Sequence, residues 1–103
     1  MRGYAKRDIS YLDDRGLDRL LADIRGMRLA RYQYQDEAGR RRDHLGFIID
    51  DVGDSPAVTA DGGHVDLYGY TSMAVAAIQA QQKRIDALER EVASLRRELA
   101  RRR

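Results

Sequence analysis

The 103-residue sequence contains no cysteine, only two histidines and only one proline. The absence of cysteine excludes disulfide frameworks, thiolate zinc sites and cysteine nucleophiles, and two histidines alone cannot complete a zinc coordination shell. No apolar run approaches the roughly 18 residues of a membrane-spanning helix, and the N-terminus lacks the apolar core of a secretion signal. The sequence therefore predicts a small soluble protein with no membrane partner, no metal and no cofactor.

Helix-breaking residues are confined to the first two thirds of the chain. All nine glycines and Pro56 lie at or before Gly69. Because both residue types disfavour helix interiors, residues 70–103 are predicted to form one uninterrupted helix. The sequence thus divides into a head, residues 1–69, and a C-terminal coiled-coil helix, residues 70–103.

The C-terminal helix carries apolar residues at the spacing of a coiled coil. Ile, Ile, Val and Leu recur every seven residues at position a, and leucine occupies position d in the last heptads. A helix of this length extends about 50 Å, farther than the head can cover, so the apolar stripe must pack against other copies or a partner. The predicted seam comprises Ile78, Ile85, Leu88, Val92, Leu95 and Leu99.

Charged residues flank the seam in a pattern that favours parallel chains. In a parallel coiled coil each g residue faces the e residue five positions later on its neighbour. Isoleucine or valine at a with leucine at d favours two strands, whereas the Arg-h-x-x-h-Glu pattern of residues 84–89, with h apolar, is typical of short parallel trimers. The seam itself leaves both strand numbers open. The three predicted pairs are opposite in sign: Arg84 with Glu89, Glu91 with Arg96, and Glu98 with Arg103.

The head is predicted to begin with one helix and a pair of strands. Asp13 or Asp14 can cap a helix whose leucine and isoleucine stripe ends at Gly26. Alternating residues over 27–35 and an apolar run over 44–49 predict two strands. Together these patterns place a helix and a hairpin in the first half of the chain.

The rest of the head is predicted to contain a second hairpin. Turn residues around Gly39 join the first two strands, and residues 58–67 resemble a hairpin with its turn at Asp61-Gly62-Gly63. The long helix is expected to start near Tyr70. The predicted fold class is α+β and mainly helical, with a small head of short β-hairpins and one helix followed by a helix that forms a parallel trimeric coiled coil.

The order of short segments along the chain resembles one family. It is similar to the C-terminal intramolecular chaperone domain of phage endosialidases, tail spikes and tail fibres, which is related to a domain of myelin regulatory factors. The similarity lies in the ordered combination and covers essentially the whole chain. The segments are Ala5-Lys6-Arg7-Asp8-Ile9, a leucine-rich helix, residues 27–34, 46–52, 55–56 and 65–68, and an alanine-rich helix that ends in heptads.

This resemblance implies a function in assembly. In the family the domain trimerises a fibrous protein, helps the upstream β-rich stalk to fold in register, and is then released by self-cleavage. For this chain it implies a homotrimer whose partner is the upstream stalk of its own precursor. It also implies action in the cytoplasm of a bacterial host during virion or fibre assembly, and it favours three strands for the coiled coil.

The processing site that the resemblance implies is incomplete. Family members cut before the serine of a Ser-Asp-x-x-x-Lys segment, with the serine as nucleophile and the lysine as its base. Aligning residues 5–9 with the family's Leu-Lys-Glu-Asn-Ile places Lys6 on the lysine but Met1 on the serine, and Ser10 lies on the wrong side of Lys6. The chain is therefore expected to be inactive in self-cleavage and looks like the released fragment. A start methionine at the cleavage boundary, a replaced serine and a free-standing relative that never cleaves stay open as explanations.

Other functions have less support in the sequence. The main alternative is a coiled-coil adaptor that captures a partner protein through the head without assisting folding. A basic zipper places its basic helix before the heptads, whereas here the cluster at 101–103 follows them, so nucleic acid is not an expected partner. His44 and His64 with nearby aspartates could hold a metal where three copies converge, but turn and strand-edge histidines are the preferred interpretation.

Overall fold

The computed structural model of the protein describes residues 3–36 and 43–102. Within this part the chain is mainly helical, with one small antiparallel sheet, as the sequence predicts. A short 3-10 turn, Gly3–Ala5, precedes the first helix, and a second one, Ile49–Asp51, follows the sheet. The regular elements are α1 (Asp14–Arg25), β1 (Leu29–Tyr32), β2 (His44–Phe47) and α2 (Leu67–Arg101).

Helix α1 forms as its sequence pattern predicts. The Asp13 carboxylate caps it by accepting a hydrogen bond from the backbone N–H of Gly16 at 2.8 Å. Capping matters because the first N–H groups of a helix have no partner within the helix. Leu17 and Leu21 are buried on the inward face of the helix, which ends before Gly26.

The first predicted strand pair is confirmed. Strands β1 and β2 are antiparallel, with Leu29 opposite Phe47 and Tyr32 opposite His44. Each strand is four residues long, shorter than the segment that predicted it, which is 27–35 for β1 and 44–49 for β2. The turn expected around Gly39 lies outside the described residues.

The second predicted hairpin is reduced to a turn with one bridge. Val58 and Val65 pair antiparallel without forming a strand on either side. The turn between them is closed by the Thr59 N–H, which donates to the His64 carbonyl at 2.8 Å. Gly62 has φ of 76°, a left-handed conformation that glycine adopts without steric cost.

Helix α2 begins at Leu67, three residues before the predicted start near Tyr70. Its cap is Asp66, whose carboxylate accepts a hydrogen bond from the Gly69 N–H at 2.9 Å. The Asp66 N–H in turn donates to the Ala57 carbonyl at 2.8 Å. Gly69 therefore lies in the first turn of the helix, where the backbone of Pro56 passes so close that a side chain at this position would clash with it.

The core consists of two adjoining clusters that share helix α2. In the first, Leu17 and Leu21 of α1 pack against three alanines of α2, whose small side chains allow the two helices to approach closely. In the second, Phe47 and Ala57 surround Met73, which is only 1 % exposed. The first half of α2 is therefore part of the core that holds the head together. The three alanines are Ala76, Ala77 and Ala80.

The second half of α2 extends away from this core. Every residue from 81 to 102 is exposed. The described chain measures 69 × 42 × 23 Å and has a radius of gyration of 20.0 Å, whereas a compact chain of about 100 residues has a radius near 13 Å. A free helical arm of this kind exposes apolar surface that a monomer has no means to bury.

Candidate functional site

The predicted seam forms an apolar stripe along the exposed side of α2. Its six side chains are 45–65 % exposed, and none belongs to either core cluster. Transfer of such surface from water into an interface is favourable, at about 25 cal/mol per Å² of apolar area buried. The stripe is therefore a surface suited to assembly. It consists of Ile78, Ile85, Leu88, Val92, Leu95 and Leu99.

The buried residues of α2 lie on the side of the helix away from this seam. Met73 and Ala80 occupy heptad position c, Ala76 position f and Ala77 position g. With 3.6 residues per turn, the centre of these positions is about 140° around the helix from the centre of the a and d positions. Packing of the head on α2 therefore leaves the seam free to meet other copies.

Two cations of α2 bind α1 within the same chain. Lys83 is bonded to Asp14, and the guanidinium of Arg84 lies 3.7 Å from the Asp18 carboxylate. Arg84 is also the residue predicted to pair with Glu89 of a neighbouring copy. In an assembly, Arg84 would therefore lie between Asp18 of its own chain and Glu89 of the neighbouring copy. An exposed ion pair of this kind stabilises a structure by about 0–1 kcal/mol.

The other predicted charge pairs differ in their surroundings. Glu91 and Arg96 make no ion pair within the part of the chain that the structure describes, so both are available to a neighbouring copy. Glu98 lies 3.1 Å from the guanidinium of Arg102, one turn later on the same helix. The partner predicted for Glu98 is Arg103, which lies outside the described residues.

Lys6 lies at the end of the first 3-10 turn in an exposed N-terminal segment. Its backbone N–H donates to the Gly3 carbonyl at 3.0 Å. Two residues later Asp8 has φ of 55°, a left-handed conformation that asparagine and aspartate adopt more readily than most residues. The resemblance aligns this position with an asparagine. Met1, the residue aligned with the family's serine, lies outside the described residues.

An open apolar groove runs beside the sheet, and sequence patterns did not predict it. It encloses about 450 Å³ between the edge of the sheet and the turn at residues 61–63. The rings of Tyr32 and Tyr34, which line it, have centroids 5.4 Å apart, and the His44 ring packs on Tyr34 with centroids 5.0 Å apart. Residues distant in sequence form this groove, so no local spacing indicates it. Its apolar lining includes Tyr32, Tyr34, Phe47, Ile48, Ile49 and Val65.

The turn beside this groove is organised by a carboxylate. The Thr59 hydroxyl donates to Oδ1 of Asp61 at 2.6 Å, and the Gly63 N–H donates to the same oxygen at 2.9 Å. These two hydrogen bonds, the hydroxyl first, lower the pKa of Asp61 because they stabilise the charged carboxylate. The turn therefore depends on an ionised aspartate.

We expect Asp61 to titrate below the usual aspartate value of about 3.9 when followed by NMR. Because its pKa is lower in the folded state, the stabilisation of the turn is complete above the unfolded pKa and is lost as the pH falls through the folded pKa. Replacing Thr59 with valine removes the hydroxyl donor and should raise the pKa of Asp61 toward its usual value. An Asp61 midpoint that does not change in Thr59→Val would contradict the assignment.

Two further properties bear on the kinds of function this chain can have. Among residues 3–36 and 43–102, no group of three or more His, Asp or Glu side chains is placed to hold a metal ion. Neither helix of the described part is long and apolar enough to cross a lipid bilayer. His44 instead contacts the tyrosine rings of the groove.

Comparison with known proteins gives one match. A family model described as a chaperone of endosialidase matches residues 5–58, just over half of the chain. No curated protein and no solved structure matches the chain. The matched part begins next to Lys6 and ends in the loop before α2, so the seam lies outside it.

Proposed function

Because the chain belongs to the chaperone of endosialidase family, we propose that it trimerises a fibrous protein and assists its folding. Three copies associate in parallel through the α2 seam. The upstream β-rich stalk of the same precursor then starts to fold with its three chains held together and aligned. The observation that carries this proposal is the exposure of the seam at 45–65 % on a helix whose other side is packed in the core.

The physical advantage of such a clamp lies in the kinetics of folding. Interwoven β-structure depends on contacts between residues far apart in sequence, which makes it slow to nucleate. Joining three chain ends raises the effective concentration of the strands that must pair. A helical clamp relies on local contacts, forms faster, and thereby sets the register before the β-structure grows.

Three strands are favoured over two by the resemblance and by the Arg84-to-Glu89 pattern. The position of α1 is compatible with either number because its contact with α2 lies on heptad positions c, f and g. The heads would thus be arranged around the outside of the coiled coil. Each head would remain folded on its own α2.

Light scattering tests the assembly directly. We expect a mass about three times the 11.8 kDa of the protomer at micromolar concentration, because the exposed seam favours association over a free monomer. A monomer or a dimer at that concentration would contradict the trimer.

A coiled-coil adaptor without chaperone activity is the second candidate, and the open groove beside the sheet is the observation that favours it. The two functions differ in their effect on a client. If the domain is a chaperone, a β-rich stalk fused before it refolds in higher yield than the same stalk alone. Equal yields, together with an intact trimer, would favour the adaptor.

Self-cleavage is expected to return when its missing groups are restored. Serine and aspartate at positions 1 and 2, placed behind an upstream stalk, should produce an assembly that cuts before the serine, because the hydroxyl then has Lys6 as its base. Mass spectrometry of the products identifies the cut. Lys6→Ala in the same fusion should abolish it. Cutting that persists in Lys6→Ala would reject Lys6 as the base, and an assembled but uncut fusion would reject self-cleavage by this sequence.

A further inference from the structure

The seam contains one polar interruption, at Gln81. This residue occupies position d between Ile78 and Ile85, where an apolar side chain would continue the stripe. The neighbouring Gln82 donates from Nε2 to the Asp86 carboxylate at 2.9 Å along its own helix. Gln81 is exposed and has no side-chain partner within the described part of the chain. Its amide is therefore available to other copies.

Gln81 also lies near the N-terminal end of the predicted seam. Before it, the exposed large apolar side chains are Leu67 at position d, Tyr68 and Val75 at position e, and Ile78 at position a, and the preceding position a holds Thr71. After it, they occupy positions a and d. An unbroken succession of apolar a and d residues thus begins only after Gln81, so the polar side chain lies near the N-terminal end of the seam.

We infer that Gln81 forms a polar layer on the axis of the coiled coil and fixes the register of its chains; this inference rests on the proposed trimer. With the chains in register, three Gln81 side chains lie at the same height, and each amide can donate to the carbonyl of the next. A buried amide without a partner is costly, because it has given up its hydrogen bonds to water. Polar residues at single core positions specify register in this way.

The rest of the seam discriminates poorly against a shift of one heptad. After such a shift most a and d residues still face apolar residues of the neighbouring chains, so the hydrophobic contacts of the seam are largely kept. The flanking charge pairs are at the surface, where salt screens them. Gln81, however, would then face Leu88 or Ala74 of its neighbours and lose its amide partners. Register is the property that a folding clamp has to transmit to the chains before it.

Disulfide trapping tests the inference, because the chain has no cysteine of its own. Glu91→Cys and Arg96→Cys in one chain place cysteines at facing g and e positions only when parallel neighbours are in register. Oxidation then links the copies, and a non-reducing gel measures the linked fraction. Gln81→Leu is compared with Gln79→Leu, an identical substitution at the exposed position b of the same helix.

In high salt we expect Gln81→Leu to lower the linked fraction at least twofold and to raise the thermal midpoint, since leucine fills the seam without specifying its register. Gln79→Leu should leave both quantities as in the parent. A linked fraction in Gln81→Leu equal to that of Gln79→Leu, or a lowered midpoint, would overturn the register role while the trimer stands. A parent that is monomeric in light scattering would overturn the trimer and the polar layer together.

Discussion

Replacing Gly69 with alanine is expected to destabilise the protein by about 3 kcal/mol, the upper end of the usual cost of overpacking. A Cβ atom at this position would overlap the carbonyl oxygen of Pro56 and lie 3.0 Å from its carbonyl carbon. The obstacle is backbone, which cannot rotate aside as a side chain can. The adjacent loop is also held in place, because the Ala57 carbonyl accepts a hydrogen bond from the Asp66 N–H at 2.8 Å.

Urea unfolding of the variant measures this cost, and Gly53→Ala is a matched control. A Cβ at Gly53 meets nothing within 4 Å, so the same chemical change should alter the free energy of unfolding by less than about 0.5 kcal/mol. Equal stability of the two variants would show that the loop moves away from α2 without penalty. Close approach of the Pro56 backbone would then not explain why a glycine occupies the first turn of the helix.

Replacing Leu88 with aspartate is expected to dissociate the proposed trimer into protomers. Leu88 is 58 % exposed in the protomer and lies in the middle of the seam. In the assembly three carboxylates would meet at the axis, where like charges repel and desolvation is costly. Light scattering should show a mass near 11.8 kDa in place of about three times that value.

Ala93→Asp is the control for this substitution. Ala93 lies at heptad position b on the same exposed stretch of helix, so it introduces the same charge and a similar loss of helix propensity outside the seam. Its mass should equal that of the parent. A trimeric Leu88→Asp variant, or a monomeric Ala93→Asp variant, would place the contact between copies on another face of α2.

Much of the head could be predicted because its signals are local. The stripe of α1 spans about two turns of helix, and its cap, predicted as Asp13 or Asp14, directly precedes it; the structure has the stripe and the cap at Asp13. The strand pair follows from alternation over residues 27–35 and from an apolar run over residues 44–49. The family resemblance rests on short segments of the same kind, and the family match covers those up to residue 58, whereas residues 65–68 and the heptad helix lie beyond it.

The two differences in the head arise where distant contacts override local patterns. Residues 58–65 have the composition of a hairpin but pair through a single bridge, because the chain turns away to join α2. Gly69 resembles a helix breaker, yet Asp66 caps the helix before it. A glycine fits in this first turn because the Pro56 backbone lies close to it, a contact that no spacing in the sequence indicates.

The amino-acid sequence by itself determines that α2 is one long helix with an apolar seam, since heptad spacing and the absence of helix breakers are properties of neighbouring residues. Tertiary structure decides which side of that helix the head covers. Ala76, Ala77 and Ala80 are small enough for α1 to pack closely, and this contact buries the side away from the seam. The apolar surface left exposed is therefore the surface that we propose joins the copies.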